Sequence, residues 1–588
     1  MDDLAAIAQL WGVEPEYYDV FGKRHAASAE TLRRLVSAIS ADHARPNHCD
    51  LVAGDAQRAF QGDGRRLWAI TVQLYALRSR RNWGHGDFTD LSQLIAIAAA
   101  RRASAIGLNP LHALFMDRAE QASPYAPNSR LYLNPLYIDV EDVEEFPGAA
   151  VAGLDGEIAT LRSSDMIDYA GVARAKLVAL RLAHERFRVS ATEKRRADFL
   201  AFREQEGDTL LRFACFETLR RQYAPKPWPE WPSPWRHPAR GELQAFRQAH
   251  ERDCEFHEFV QWIADRQLRA CQETARRHGM PIGLYMDLAV GMDPQGADAW
   301  VQQDVVLADV SVGAPPDEFN PAGQDWGLVP FNPHALPADD FAAIRRLMSA
   351  TMRHCGAVRI DHVLGLKRLF LIPRGLGAAG GAYVRLPFEP LLRVIAQESN
   401  RTRTIVIGED LGTVPENFRD TLARWGLWGC RVMLFERDSD GRFLPPECYP
   451  AEALATFNTH DLPSFRGWIE NHDLRVKHAI GLDPGESGEA RTRAQDLLRA
   501  ALAQWAPAYP PDDIAAVAAF LAATPSRLVV IALDDILDVS DQINIPGTVE
   551  QHPNWRRKLP VAVEDLGAHD GMRRVAGAFA QAGRSFAE

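Results

Sequence analysis

The sequence predicts an α/β protein, a (β/α)8 TIM barrel with a large, mostly helical insertion between strands 2 and 3 and a short helical N-terminal segment. Three observations carry that prediction. Eight strand-like apolar runs follow one another from residue 67 onward, helix-periodic stretches fill most gaps between them, and three of the runs stop abruptly on acids. At the mouth of such a barrel the strand ends carry the chemistry. AVRIDH (357–362) gives way to Arg359, Asp361 and His362, TIVIGED closes on Glu409 and Asp410, and ALATFNTHD closes on His460 and Asp461.

Residues 1–62 read as helical. LAAIAQLWG is followed by SAETLRRLVSAIS, in which Ser28 and Thr31 precede an apolar face at Leu32, Leu35, Val36 and Ile39. Residues 63–588 are assigned to the barrel, interrupted by inserted subdomains over 111–279. Its strands are LWAITVQLY (67–75), ASAIGLNP (103–110), MPIGLYMDL (280–288), AVRIDH (357–362), TIVIGED (404–410), CRVMLFE (430–436), ALATFNTHD (453–461) and RLVVIALDD (527–535). FTDLSQLIAIAAARR (88–102) and FAAIRRLMSATMRHC (341–355) are examples of the helices between them. The gap between the second and third strands, roughly 170 residues, is too long for a loop without structure of its own. It contains the helical stretch YAGVARAKLVALRLAHERF (169–187) and the segment KPWPEWPSPW (226–235), whose Trp228, Trp231 and Trp235 read as a clamp on the core before they read as a sugar platform. Past the eighth strand, Arg556, Arg557 and Lys558 read as a solvated or helix-capping patch.

Composition narrows the class of partner. Hydrophobic residues are 46% and charged residues 24% of the 588, which is soluble globular composition. The net charge of −12 and pI near 5.9 disfavour nucleic acid, whose binding rests on Lys and Arg against phosphate. No stretch approaches a membrane span, so no membrane partner is expected. The seven cysteines are scattered, without CxxC pairs, and read as reduced thiols. The start, MDDLAAIAQLWG, has acids where a signal peptide needs positive charge, and a cytoplasmic protein is expected.

If the eight strands close, Asp361, Glu409 and Asp461 converge over one mouth. Cleavage of a glycosidic bond needs two carboxyl groups, one to protonate the leaving oxygen and one to attack or to activate water. A third acid can hold sugar hydroxyls. Arg359 lies two residues before Asp361, on the same strand face, where it would hold a nucleophile ionised. His460 could donate a hydrogen bond to a sugar hydroxyl. Strand-end acids taken singly more often cap the next helix or form surface ion pairs. For Asp410, ahead of LGTVPENF, capping is the better reading; for the three acids together, catalysis is.

RIDH (359–362), GEDLGTVPE (408–416) and FNTHDLP (457–463) resemble the active-site motifs of the amylomaltases, the 4-alpha-glucanotransferases or disproportionating enzymes. LYALRSRRNWGHGDF (74–88), SPYAPNSRLYLNPLYIDV (123–140), MPIGLYMDLAVG (280–291), GAPPDEFNPAGQDWGLVPFNP (313–333) and IPGTVEQHPNWRR (545–557) agree with them. The resemblance implies Asp361 as nucleophile, Glu409 as general acid/base and Asp461 as transition-state stabiliser, with Arg359, His362 and His460 in support. It further implies that Asp287 braces this group, that Tyr125 is an aromatic sugar platform, and that GAPPDEFNPAGQDWG is the mobile loop over the acceptor side, with Asp317, Gln324 and Trp326 as sugar contacts. The implied reaction moves α-1,4-glucan segments between maltooligosaccharides by retaining double displacement, with no metal and no other cofactor. Longer members of that family carry a β-rich N-terminal module, whereas residues 1–62 here are mostly helical in pattern. Two other readings compete: a hydrolase of α-1,4-glucans without the acceptor loop, and a catalytically silent glucan-binding protein, against which the three intact acids count.

Overall fold

A computed structural model describes residues 2–18, 23–41, 58–316, 323–412 and 414–586. Its centre is a barrel of eight parallel strands, β1 (Leu67–Val72), β2 (Ala105–Leu108), β3 (Gly283–Leu288), β4 (Ala357–Ile360), β5 (Ile405–Gly408), β6 (Gly429–Val432), β7 (Ala453–Thr456) and β8 (Leu528–Ala532). Consecutive strands pair from β1 to β5 and from β6 through β8 back to β1. Closure comes at a narrow seam between β5 and β6. Ile407 bridges to Trp428, Gly408 N donates to Trp428 O at 2.8 Å, and Trp428 N donates to Val406 O at 2.9 Å. Each of the eight runs read from the sequence contributes one of these strands.

The strands are short and almost wholly buried, as expected of parallel strands covered by helices outside and packed side chains within. Interior space is tight enough to dictate side-chain size: a Cβ at Gly107 in β2 would fall 2.6 Å from Thr71 Cγ2 and 2.7 Å from the Tyr285 ring. The helix Phe88–Ala100 opens with a capping box built by Asp87 and Asp90.

Between β2 and β3 lie the hairpin strands His112–Ala113 and Ser129–Leu133 and long helices, among them Tyr169–Ser190, Glu193–Tyr223 and Glu251–Arg277. Here Trp231 is fully buried against Phe216, Tyr223 and Trp300, and its Nε1 donates to Lys226 O at 3.0 Å. The Trp/Pro segment is therefore a clamp on the core.

A second sheet departs from the expected loops. Strands Val310–Ala314, Gln324–Leu328, Arg368–Pro373 and Ala382–Arg385 form an antiparallel sheet from the excursions that follow β3 and β4. The segment 313–333, expected as a loop, is thus framed by paired strands. The N-terminal segment packs on this sheet with helices Asp2–Leu10 and Ala29–Ser40, the second capped by the Ser28 hydroxyl, which accepts from Thr31 N. Between the helices Glu16–Tyr18 pairs with Arg24–Ala26, a small β ladder that the helical reading of residues 1–62 missed.

The cationic cluster of the tail is divided. Lys558 is buried and donates to Leu161 O at 2.7 Å, in the last turn of helix Asp155–Ser163, which is the capping part of that expectation. Arg556 and Arg557 are half-exposed, Arg556 donating to Glu120 O at 3.0 Å and Arg557 pairing with Asp541 at 3.1 Å.

Candidate active site

The site begins with sheet register. Arg359 in β4 is paired with Asp287 in β3, so both side chains leave the sheet side by side. Arg359 Nη1 donates to Asp287 Oδ1 at 2.8 Å and Oδ2 at 2.9 Å, and lies 2.9 Å from Asp361 Oδ1. One guanidinium nitrogen thus serves two carboxylates. Tyr125 donates its hydroxyl hydrogen to Asp287 Oδ2 at 2.6 Å, which fixes the far side of that acid.

Glu409 follows β5 directly, one strand along. Among the described residues its carboxyl accepts from two backbone donors, Leu411 N to Oε1 at 2.8 Å and His362 N to Oε2 at 3.0 Å. The second bond needs a sharp turn after Asp361, and His362 supplies it with φ 47° and ψ 58°, a left-handed conformation that is uncommon outside glycine. Gly408 makes the turn possible, because a Cβ there would fall 2.7 Å from Val363 Cγ1.

Asp461 is held differently. The strand β7 ends at Thr456, and Asp461 stands past a further turn rather than at the strand end. Asn544 Nδ2 donates to Asp461 Oδ1 at 2.6 Å, His460 Nε2 lies 3.3 Å from Oδ2, and Gln542 Nε2 donates to the Asp461 carbonyl at 2.8 Å. His460 stacks on Tyr125, ring centroids 4.7 Å apart, and its Nδ1 is 3.2 Å from the Tyr125 hydroxyl. Trp555 packs on both rings at 5.3 and 5.6 Å. A continuous network therefore runs from Asp461 through His460, Tyr125, Asp287 and Arg359 to Asp361.

The surroundings separate the acids electrically. Burial pushes the Asp361 carboxyl up to about 6, with Asp287 and Glu409 adding to the rise and Arg359 opposing it. Burial also raises Glu409, against the pull of Arg359 and the two backbone donors. Asp461 moves down: burial works against ionisation, but His460 and Asn544 outweigh it, and its side chain keeps 45% of its exposure to water. His460 moves up, burial being overcome by Asp461 beside it. Burial and neighbouring charge thus move Asp361 and Glu409 up and Asp461 down, an unequal set of acids of the kind that acid-assisted displacement at a sugar carbon requires.

Of the residues expected from sequence, Asp361, Glu409, Asp461, Arg359, His460, Asp287, Tyr125 and His362 share this mouth. Trp326, on strand Gln324–Leu328 of the second sheet, meets the His362 ring edge-on at 5.4 Å, and its Nε1 donates to Gln324 Oε1 at 3.2 Å. Asp317 lies outside the described residues. Asp410 does not cap a helix: fully buried, it accepts from Arg419 at 2.7 Å, Arg431 at 2.9 Å and Cys430 N at 2.7 Å. The sequence reading missed Asn544, Gln542 and Trp555, although IPGTVEQHPNWRR flagged their neighbourhood.

A family model described as 4-alpha-glucanotransferase matches residues 72–563. The 4-alpha-glucanotransferase of Mycobacterium tuberculosis is 39% identical over 539 residues, which cover 86% of this chain and 73% of that one. Its counterpart from Haemophilus influenzae is 35% identical over 545 residues, 87% of this chain and 78% of that one. The amylomaltase structure from Corynebacterium glutamicum superposes with a TM-score of 0.83 at 27% identity, over 98% of this chain and 99% of that one. A family model that matches residues 72–563, with relatives of one description at 39% and 35% identity, shows that this chain belongs to the 4-alpha-glucanotransferase family.

Proposed function

We propose that the chain transfers α-1,4-glucan segments between maltooligosaccharides by retaining double displacement, with Asp361 as nucleophile, Glu409 as general acid and base, and Asp461 as the group that steadies the transition state. The observation that carries this reading is the unequal contact of two neighbouring acids with Arg359. Asp361 touches the guanidinium at 2.9 Å, a contact that favours its carboxylate, while Glu409 has no such contact among the described residues and burial pushes its carboxyl up.

In the first step an Asp361 oxygen attacks the anomeric carbon, the glycosidic bond breaks, and Glu409 gives its proton to the departing oxygen. The product is a glucosyl ester on Asp361. In the second step Glu409, now a carboxylate, takes the proton of an acceptor 4-hydroxyl as that oxygen attacks the same carbon and releases Asp361. Asp287, Arg359, Tyr125, His362 and His460 hold the donor sugar, and Gln324, Trp326 and Asp317 the acceptor side. Neither step calls for a metal or an organic cofactor. A cytoplasmic setting belongs to the same reading, supported by six free thiols among the described residues.

Incubation of the purified protein with maltotriose tests the proposal. A ladder of longer maltooligosaccharides together with free glucose is expected, and Asp361→Asn should abolish both. Glucose and maltose without longer products would make it a hydrolase, and unchanged maltotriose would make it a binding protein.

A further inference from the structure

The second sheet has two dissimilar edges. At one, strand Gln324–Leu328 carries Trp326 to the mouth of the barrel. At the other, the N-terminal segment adds itself as a further strand: Val13 bridges to Val384, Glu14 N donates to Tyr383 O at 2.8 Å, and Arg385 N donates to Gly12 O at 2.9 Å.

The same segment covers one face of the sheet. Ala8, Val13, Leu35 and Ile39 are fully buried in a single apolar cluster with Val312, Leu371 and Val384, and Trp326 packs against that cluster. Polar ties surround it. Glu14 pairs with Arg368 at 2.9 Å, Thr31 Oγ1 donates to Gly380 O at 2.9 Å, and Asn332 Nδ2 donates to Ile39 O at 3.1 Å. Buried apolar contacts and ties on both sides make segment and sheet one rigid body, so a shift of the helices must shift the strand that bears Trp326.

We infer that the N-terminal segment is a positioning element for the acceptor side: by bracing the sheet that carries Trp326 next to His362, it sets the share of glucosyl ester captured by a sugar rather than by water. This inference rests on the transfer reaction proposed above. Donor cleavage depends on acids rooted in β4 and β5, whereas the contacts of residues 2–40 named above fall on the second sheet and its flanking loops. Only the second half of the cycle should respond to it, because capture by a sugar hydroxyl needs an oriented partner and capture by water does not.

The test uses the full chain with an aryl maltotrioside as donor and glucose as acceptor, following aryl release, transfer product and hydrolysis product together. Leu35→Ala opens a hole in the shared cluster, and Glu14→Gln removes the tie to Arg368 without a hole. Leu35→Ala should raise the acceptor KM and the hydrolysed fraction by about tenfold each, Glu14→Gln by about threefold, with aryl release in the absence of acceptor within about twofold of wild type. Leu35→Met should restore the wild-type partition. An unchanged partition in both variants would overturn the inference, as would aryl release falling in parallel with transfer. A wild-type protein that made no transfer product would refute the proposed reaction and this inference with it, which separates the two failures.

Discussion

Two edges of the barrel mouth hold their acids by different means. On the β4–β5 edge, Asp361 and Glu409 are the first residues past adjacent strands, and Ile360 and Gly408 just before them are register partners. On the β7–β8 edge, Asp461 stands beyond a turn and depends on Asn544 and Gln542, which come from the tail after β8. The first edge derives its precision from the sheet, whose geometry was settled by burial of Val, Ile and Leu. The second borrows its precision from side chains of the tail, where Gln542 Nε2 also donates to Asn544 O at 2.7 Å. Acids of the first kind are disturbed through themselves or the residues beside them on their own strands, whereas the second kind can be disabled from the tail of the chain.

Direct replacement should have the largest effect. Asp361→Asn or Glu409→Gln should lower kcat for maltotriose disproportionation by about 10^4-fold or more, with the fold intact by circular dichroism. Support on the other edge comes next: Asn544→Ala removes a charge-assisted hydrogen bond and should lower kcat by about 10- to 100-fold with little change in KM. A loss as deep as that of Asp461→Asn would break the distinction, because Asn544 would then be doing more than holding.

Titration sharpens the first edge. On the proposed roles Asp361 must be ionised to attack and Glu409 protonated to donate, so activity should fall as pH drops below about 6, where Asp361 takes up a proton, and burial of Glu409 should carry the opposite limb above the ordinary glutamate range. Arg359→Met removes the opposing cation and should move the acid limb to higher pH.

The smallest effect belongs to the base of the second edge. Asp535 accepts from Phe465 N at 2.6 Å and lies 3.5 Å from Asn458 Nδ2, which ties the β7 turn to β8. Burial raises its carboxyl to about 7, so the folded protein holds a proton there that the unfolded chain gives up near pH 4. This contribution to stability is complete below about pH 4 and lost as pH rises through about 7. Asp535→Asn should flatten that part of the profile, lowering the difference in Tm between pH 5 and pH 8 by about 2 °C.

The barrel was legible because each strand is a short apolar run bounded by turns, and burial on both sides writes itself into sequence without help from other segments. Asp361 and Glu409 were legible for the same reason, as abrupt ends of such runs. The second sheet was not: QDWGL exposes alternate residues on an edge strand. RLFLIP and AYVR pair with each other within one excursion, but the other partner of RLFLIP, Val310–Ala314, lies in the excursion after β3, which sequence alone could not join to it. Asn544 stayed hidden because an Asn among Ile, Pro and Gly reads as turn chemistry, and only its contact with Asp461 gives it another role. Asp410 was misread for a related reason, since a charge in sequence does not reveal whether its partner is a helix end or a buried side chain.

The attachment of residues 2–40 to a sheet built from residues 310–385 also sets a timetable for synthesis. Val13 leaves the ribosome roughly 370 residues before Val384, an interval of about 20 to 70 s at about 5 to 20 residues per second. Through that time the apolar faces of both N-terminal helices have no sheet to cover them. The first part of the chain to be made is therefore among the last to find its place, and a chaperone that shields Trp11, Leu32, Leu35 and Ile39 would be met by every copy made.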